Sequence, residues 1–376
     1  MIRDVILDIT EFVANPIRTG IQRVVRELIR YWPHPEHLKL ASFDASRGLV
    51  GLSDSVLPLL LDEDEQAREA SHDQLKSILS QYVAREDAPA LPDDAVILVP
   101  ELFFDPFRCL WYLDRIRQQP ESVFFVVYDF IPWLHPGRIG VSSTAALMHY
   151  LRLVREAQRT AFISGATRSD YETRIKRNGV SDTGPVLPLG ADGLNLEPQM
   201  FSPDKKTWIC IGAINGNKNQ DRICAAFMKM WAEGFDGKLL LIGRVFGMDA
   251  TGWLNEASEQ SQFRHLVDVT DDVIKHELRS ARATIYVSDV EGFGLPPVES
   301  LHAGIPVIVT RNIPSIADLP EHGQIRLDSA SVPEITAALR MTAADETASH
   351  LWEQARLLRL ASWRDFAVST AAWVNQ

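Results

Sequence analysis

The chain has 376 residues, 46% hydrophobic and 23% charged, enough for two globular domains with a core each. A net charge of −12 argues against a nucleic-acid partner, whose phosphates demand a basic face. No apolar run approaches the ~18 residues that span a bilayer, and Met1-Ile2-Arg3-Asp4 leads straight into a strand, so no secretory leader is expected.

Apolar periodicity predicts strands alternating with helices through the first half. Val5-Ile6-Leu7 reads as a strand, and Gly20–Trp32 as an amphipathic helix with Ile21, Val24, Val25, Leu28 and Ile29 on one face. The Asp62-Glu63-Asp64-Glu65 run sits in a polar, helix-forming stretch with no strand before it and reads as a solvated face, not a metal site. Val96–Val99 and Ser122–Tyr128 are β-prone, Leu147–Ala161 reads as a helix, and Phe162-Ile163-Ser164 as a short strand. Pro185–Lys206, rich in Pro, Gly and Asp, is the expected connection.

A second alternating series follows it. Trp208–Gly212, Lys238–Gly243 and Val267–Val269 are expected strands, Asp221–Glu233 a helix, and Thr270 the cap of a helix over Asp271–Ser280. Such alternation implies parallel sheets with right-handed crossovers. No Gly-x-Gly-x-x-Gly follows a strand, which weakens a dinucleotide-binding reading. Leu351–Val374 reads as a terminal helix. Cys109, Cys210 and Cys224 lie far from any metal-binding spacing in apolar surroundings, and read as buried free thiols in a reducing cytoplasm.

The most informative stretch is Glu291-Gly292-Phe293-Gly294-Leu295-Pro296-Pro297-Val298-Glu299. It joins the β-prone Ala283–Ser288 to an apolar segment from Val298 to Ala303, so it reads as strand, tight turn and helix start. Glycines at 292 and 294 let backbone N–H groups approach a ligand closely. A helix N-terminus adds donors and a positive dipole end suited to phosphate. Glu291 and Glu299 bracket the turn, and carboxylates repel phosphate, so they face hydroxyl groups instead. Amides for a diphosphate beside carboxylates for sugar hydroxyls describe a nucleotide-sugar site.

These nine residues resemble the Glu-x7-Glu signature of retaining GT-B glycosyltransferases, family 4 (glycosyl transferases group 1), in the form E-G-F-G-L-P-x-x-E. Gly304-Ile305-Pro306-Val307-Ile308 resembles the family's G-x-P-V-I strand, and Leu187–Asp192 its P-x-G-x-D interdomain connection. The resemblance implies an α/β GT-B fold of two Rossmann-like parallel-sheet domains facing a cleft. Residues 1–187 would bind the acceptor and 188–355 the nucleotide sugar, with 356–376 returning as a helix to the N-terminal domain.

Gly212 to Gln220 resembles the G-x-x-x-x-R-K-N-Q loop, which implies that Gly212 and Lys218 hold the donor diphosphate. Asn217 stands where arginine is usual. Arg244, at the end of the Lys238–Gly243 strand, would compensate, because strand ends in an α/β sheet converge on one crevice. As residues alone, Lys218 and Arg244 also fit plain surface cations. Thr19-Gly20-Ile21-Gln22-Arg23 resembles the T-G-I-x-R element of polysaccharide-assembling members, with Gly20 letting a helix N-terminus approach donor or acceptor; Arg23 fits a ligand contact or a helix-surface ion pair equally.

Tyr128-Asp129 occupies the place of the family's His-Asp, so the catalytic histidine does not transfer, and Asp129 is the candidate base. His135 either folds back to serve catalysis or is an ordinary loop residue. Ser164, Thr167 and Arg168 either touch the acceptor or cap the following helix. Glu291 is implied to contact the sugar ring, the Phe293, Gly294 and Leu295 amides the diphosphate, and Glu299 the ribose.

The resemblance thus implies a hexosyltransferase acting with retention and without metal or other cofactor. Its expected donor is GDP-mannose, and its expected acceptor a lipid-linked O-antigen or exopolysaccharide glycan, reached from the cytoplasm by peripheral contact with the inner membrane face. Two alternatives are a nucleotide-sugar 2-epimerase of the same fold and an inactive glycan- or nucleotide-binding relative.

Overall fold

The computed structural model describes residues 2–16, 20–61, 72–83, 88–139, 141–176, 184–246 and 250–376. Thr19 and the Asp62–Glu65 run lie outside the described residues. The chain divides into two units. The first is Met1–Leu134, Val141–Gly190 and Ser362–Gln376; the second is His135–Gly140 and Ala191–Ala361.

The first unit is built on β1 (Val5–Asp8), β2 (Leu38–Asp44), β3 (Gly48–Gly51), β4 (Val96–Val99), β5 (Val123–Val127) and β6 (Arg159–Phe162), in the order β3-β2-β1-β4-β5-β6. β1, β4 and β5 are buried along their whole length, as expected where helical crossovers cover both sheet faces. Pairing is parallel except at one edge, where β3 runs antiparallel to β2. Asp44 explains that hairpin: its Oδ1 accepts the N–H groups of Ser46 (2.9 Å) and Arg47 (3.0 Å) and folds the chain back.

The second unit carries β7 (Thr207–Ile211), β8 (Lys238–Ile242), β9 (Phe263–Leu266), β10 (Ala281–Tyr286), β11 (Val307–Thr310) and β12 (Gln324–Leu327). Their order is β12-β11-β10-β7-β8-β9, parallel throughout. Both sheets reverse direction in the middle, at β1/β4 and at β7/β10. This is the doubly wound order, in which crossovers diverge and leave a crevice at the carboxyl ends of the two central strands. The three cysteines are free and buried.

Three local expectations are corrected. The strand expected at Val267–Val269 is Phe263–Leu266, since Asp268 adopts φ 56° and ends the extended run. Thr270 occupies the N-cap position of the Asp271–Arg279 helix with extended backbone, but its side chain makes no cap bond. The single helix expected over Leu351–Val374 is two, Asp345–Ala355 and Trp363–Val374. Ser362 and Asp365 form a capping box that starts the second of these afresh. That helix lies within the first unit, where Arg364 sits 5.4 Å over the Tyr31 ring and Trp373 stacks edge-on to Phe124 at 5.0 Å.

At the β1/β4 reversal the first unit buries a charge network. Arg108, 0% exposed, donates to Asp8 Oδ2 through Nε (3.0 Å) and Nη2 (2.6 Å), and to Glu101 Oε2 (3.0 Å). Tyr112 and Thr10 also donate to Asp8. Glu101 accepts the N–H groups of Glu11 and Phe12, both at 2.8 Å, and so caps the Thr10–Ala14 helix from another element. Two buried carboxylates share one guanidinium that also reaches the half-buried Glu11 at 3.2 Å. Burial above all, with Asp8 beside it, pushes the Glu101 carboxyl up to about 8, even though Arg108 and two backbone amides pull it down.

This raised value sets the sign of a pH effect. Below the ordinary value of 4.5 both folded and unfolded chains hold the proton, and the contribution is complete. As pH rises from 4.5 towards 8 the unfolded chain releases the proton first, so stability is lost. Wild-type Tm should therefore fall relative to that of Glu101→Gln, which cannot titrate, as pH is raised from about 5 to about 8. Parallel Tm–pH curves in differential scanning calorimetry would refute the assignment.

Candidate active site

In the second unit the crevice between β7 and β10 is walled by two loops, residues 212–219 after β7 and 287–294 after β10. Lys218 on the first loop donates through Nζ to the Tyr286 hydroxyl (2.7 Å) and to Glu291 Oε1 (3.0 Å), and lies 4.5 Å from the Tyr286 ring centroid. The Lys218 and Glu291 side chains keep 17% and 16% exposure, so the pair is reachable. Burial works against the ammonium, but Tyr286 and Glu291 outweigh it and hold Lys218 above the ordinary lysine value. Burial, and then Glu291, push Tyr286 up as well. At neutral pH the site therefore presents a lysinium and a neutral phenol.

Gly212 ends β7 at φ +138°, a region that disfavours side chains, and a Cβ there would stand 3.4 Å from Cδ and Cε of Lys218. The positive φ is what favours glycine here. Across the crevice Gly294 takes φ +93° and starts the Leu295–His302 helix. Its carbonyl accepts the Ser315 hydroxyl (2.6 Å) and the Phe293 carbonyl accepts the Ser315 N–H (2.9 Å), so Ser315 fixes the turn from below. Pro296 and Pro297 remove two of the four orphan N–H groups of the first turn, leaving those of Leu295 and Val298. Glu299 lies in the second turn, 7% exposed.

The two loops are joined by asparagines. Asn217 Nδ2 donates to the Val290 carbonyl (2.5 Å), its Oδ1 accepts the Val290 N–H (3.2 Å), and its carbonyl accepts the Asp289 N–H (2.9 Å). Asn219, in the left-handed region at φ 52°, donates through Nδ2 to the Val287 carbonyl (2.8 Å) and Asp289 Oδ1 (2.9 Å). The sequence marks Asn217 only as a departure from arginine; its bonding to a loop some seventy residues away has no local signal.

The remaining predicted residues are placed as follows. Arg244 follows β8 with its side chain 73% exposed and ion-paired to Asp268, which raises its pKa. Tyr128 is buried and donates its hydroxyl to the Pro100 carbonyl (2.6 Å). Asp129 is half-buried and accepts the Ile131 N–H at 2.9 Å, starting a short helix. His135 is exposed in the turn after that helix. Gly20 opens the Gly20–Tyr31 helix of the first unit. Ser164 caps the Gly165–Asp170 helix by accepting the Thr167 N–H (3.1 Å), and Arg168 pairs with Glu172 (3.2 Å).

The turn at Gly294 gives a direct test. A Cβ there would approach Ile313 Cγ2 to 2.6 Å at a backbone angle that side chains avoid. Gly294→Ala should cost about 2 kcal/mol or more, read as a lowered urea midpoint for the transition of the second unit. An unchanged midpoint would show that the turn relaxes freely.

Residues 195–356 match the family model "Glycosyl transferases group 1". The serotype-specific mannosyltransferase WbdA of Escherichia coli is 25% identical over 354 residues, covering 85% of this chain and 39% of that protein. The chain thus spans about two fifths of the length of this curated relative. Among solved structures, Anabaena Alr3699/HepE in complex with UDP and glucose superposes with a TM-score of 0.66 at 13% identity, covering 98% of each chain. Sucrose-phosphate synthase from Thermosynechococcus elongatus gives 0.63 at 15% identity, over 98% of this chain and 97% of that one. Among the described residues no helix is long and apolar enough to cross a membrane. Residues 195–356 are thus similar to the group 1 glycosyltransferases, and the chain as a whole shares the two-domain α/β fold of the GT-B glycosyltransferases.

Proposed function

We propose that this chain transfers mannose from GDP-mannose, with retention and without a metal, to a growing lipid-linked glycan of the O-antigen or exopolysaccharide class. The observation that carries the reading is the Lys218–Tyr286–Glu291 cluster at the β7/β10 reversal, facing a glycine-capped helix start. As the bond between the sugar C1 and the diphosphate oxygen breaks, charge grows on the leaving diphosphate. Lys218 and the Phe293–Leu295 amides are suited to meet that charge, and fixed dipoles and cations aimed at developing charge lower the barrier. The acceptor oxygen bonds to C1, and its proton passes to an oxygen of the departing phosphate. Glu291 then serves the sugar hydroxyls and Glu299 the ribose.

The mannosyl donor is supported by the likeness to WbdA, a mannosyltransferase. Action at the inner membrane face from the cytoplasm belongs to the same proposal, since a lipid-linked acceptor is presented there. An inactive relative would bind nucleotide without turnover.

Two measurements test the reading. GDP should raise Tm more than UDP, ADP or dTDP, because a ligand bound only to the folded state stabilises by RT ln(1 + [L]/Kd), about 2.7 kcal/mol at 100 Kd. A larger shift with UDP would reject the guanine donor. Lys218→Ala should lower kcat on the order of 10²-fold, the usual loss for one electrostatic donor, while proton NMR of the wild-type product shows the donor's anomeric configuration. Turnover within about twofold of wild type would remove Lys218 from the chemistry, and an inverted coupling constant would reject retention and promote Asp129 to general base.

A further inference from the structure

Asn217 spends both ends of its carboxamide on one residue of the opposite loop. Nδ2 donates to the Val290 carbonyl and Oδ1 accepts the Val290 N–H, at 2.5 and 3.2 Å. Its own carbonyl holds the Asp289 N–H at 2.9 Å, and its N–H is held by Asn215 Oδ1 at 3.1 Å. The side chain imitates a peptide unit in a β-ladder, matching one donor and one acceptor. The next residue on its own loop is Lys218, and the next on the opposite loop is Glu291, the two ends of the ion pair. The amide clamp thus lies one residue from each partner of the ion pair and fixes the two backbone segments from which their side chains reach.

We propose that Asn217 is a positioning residue for sugar transfer, locking the Lys218 loop to the Glu291 loop so that lysinium and carboxylate stand at a fixed separation, and supplying no charge to the donor. This rests on the transferase reading above. Arginine, aspartate and alanine do not replace the clamp. Arginine offers donors only and cannot accept the Val290 N–H. Aspartate offers acceptors only and would set an oxygen against the Val290 carbonyl. Alanine offers neither. Misplacing a catalytic group by about 1 Å costs on the order of 10²-fold in rate, so the clamp acts on turnover more than on donor affinity.

The test uses the full chain with Asn217→Ala, Asn217→Arg, Glu291→Gln and Asn217→Ala combined with Glu291→Gln. Amide hydrogen exchange, read without any assay of activity, should accelerate at Asp289 and Val290 by about tenfold or more in Asn217→Ala. The kcat should fall by about 10- to 100-fold with donor KM within about threefold. Asn217→Arg should fall similarly, and in the double variant the two losses should be non-additive, because both act on one ion pair. Unchanged exchange at Val290, a raised kcat in Asn217→Arg, or strictly additive losses would each overturn the proposal. If the wild-type chain binds nucleotide but transfers no sugar, the transferase reading falls and takes the proposal with it; if wild type is active and Asn217→Ala keeps its kcat, the proposal falls alone.

Discussion

A sheet whose strand order reverses at its centre leaves two adjacent strand ends with no crossover packed above them, and what fills that gap decides what each unit can do. The two units fill it differently with the same kind of chemistry. At β1/β4 a guanidinium lies between Asp8 and Glu101, all at 0–1% exposure. At β7/β10 an ammonium lies between a carboxylate and a phenol, with the ion pair still about one-sixth exposed. Burying a charge is tolerated only when its hydrogen bonds are made, and those of Arg108 are: Asp8 accepts from Nε and Nη2, Glu101 from Nη2 and Glu11 from Nη1. Lys218 is left partly open, so its charge remains available to a polyanion arriving from solvent. The first arrangement is a structural keystone and the second the candidate site.

The keystone extends beyond its own charges. Glu101 holds the N–H groups of Glu11 and Phe12, and the preceding Pro100 carbonyl is held by the Tyr128 hydroxyl. The Tyr128 carbonyl in turn takes the Thr167 hydroxyl at 2.9 Å. The carboxyl ends of β1, β4, β5 and β6 are thereby connected through buried hydrogen bonds, each costly to leave unmade. Tyr128 thus has a structural reason to be a tyrosine: its ring reaches the neighbouring strand end and its hydroxyl satisfies a buried carbonyl.

The sequence was most legible where the residues constrain the backbone most tightly. Gly292, Gly294, Pro296 and Pro297 mark the turn, and the structure has a strand, a positive-φ glycine and a helix there because those residues permit little else. Lys218 was legible from its loop. The Asp8–Glu101–Arg108 network was not, because 93 residues separate its carboxylates and only the parallel pairing of β1 with β4 brings them together. The antiparallel β3 depends on one Asx-type turn at Asp44, a signal too short to outweigh the parallel pattern around it. The break before Trp363 carried a readable sign, since Ser362 and Asp365 have capping-box spacing, but apolar periodicity on both sides hid it.

Asn217 shows the limit of reading departures residue by residue. Set against a pattern with arginine at that place, it looks like a lost cation. Set in three dimensions, it is one member of a run in which alternate residues have opposite duties. Asn217 and Asn219 bind the main chain of the facing loop, and Lys218 between them carries the charge. Charge without the tethers would leave a flexible lysine free to meet Glu291 at any distance, and tethers without the charge would leave a rigid but neutral crevice. A single cation held at a set distance from its carboxylate is the simpler device, because a rigid donor needs no reorganisation as charge develops, whereas a second, long and mobile cation would have to be ordered each time.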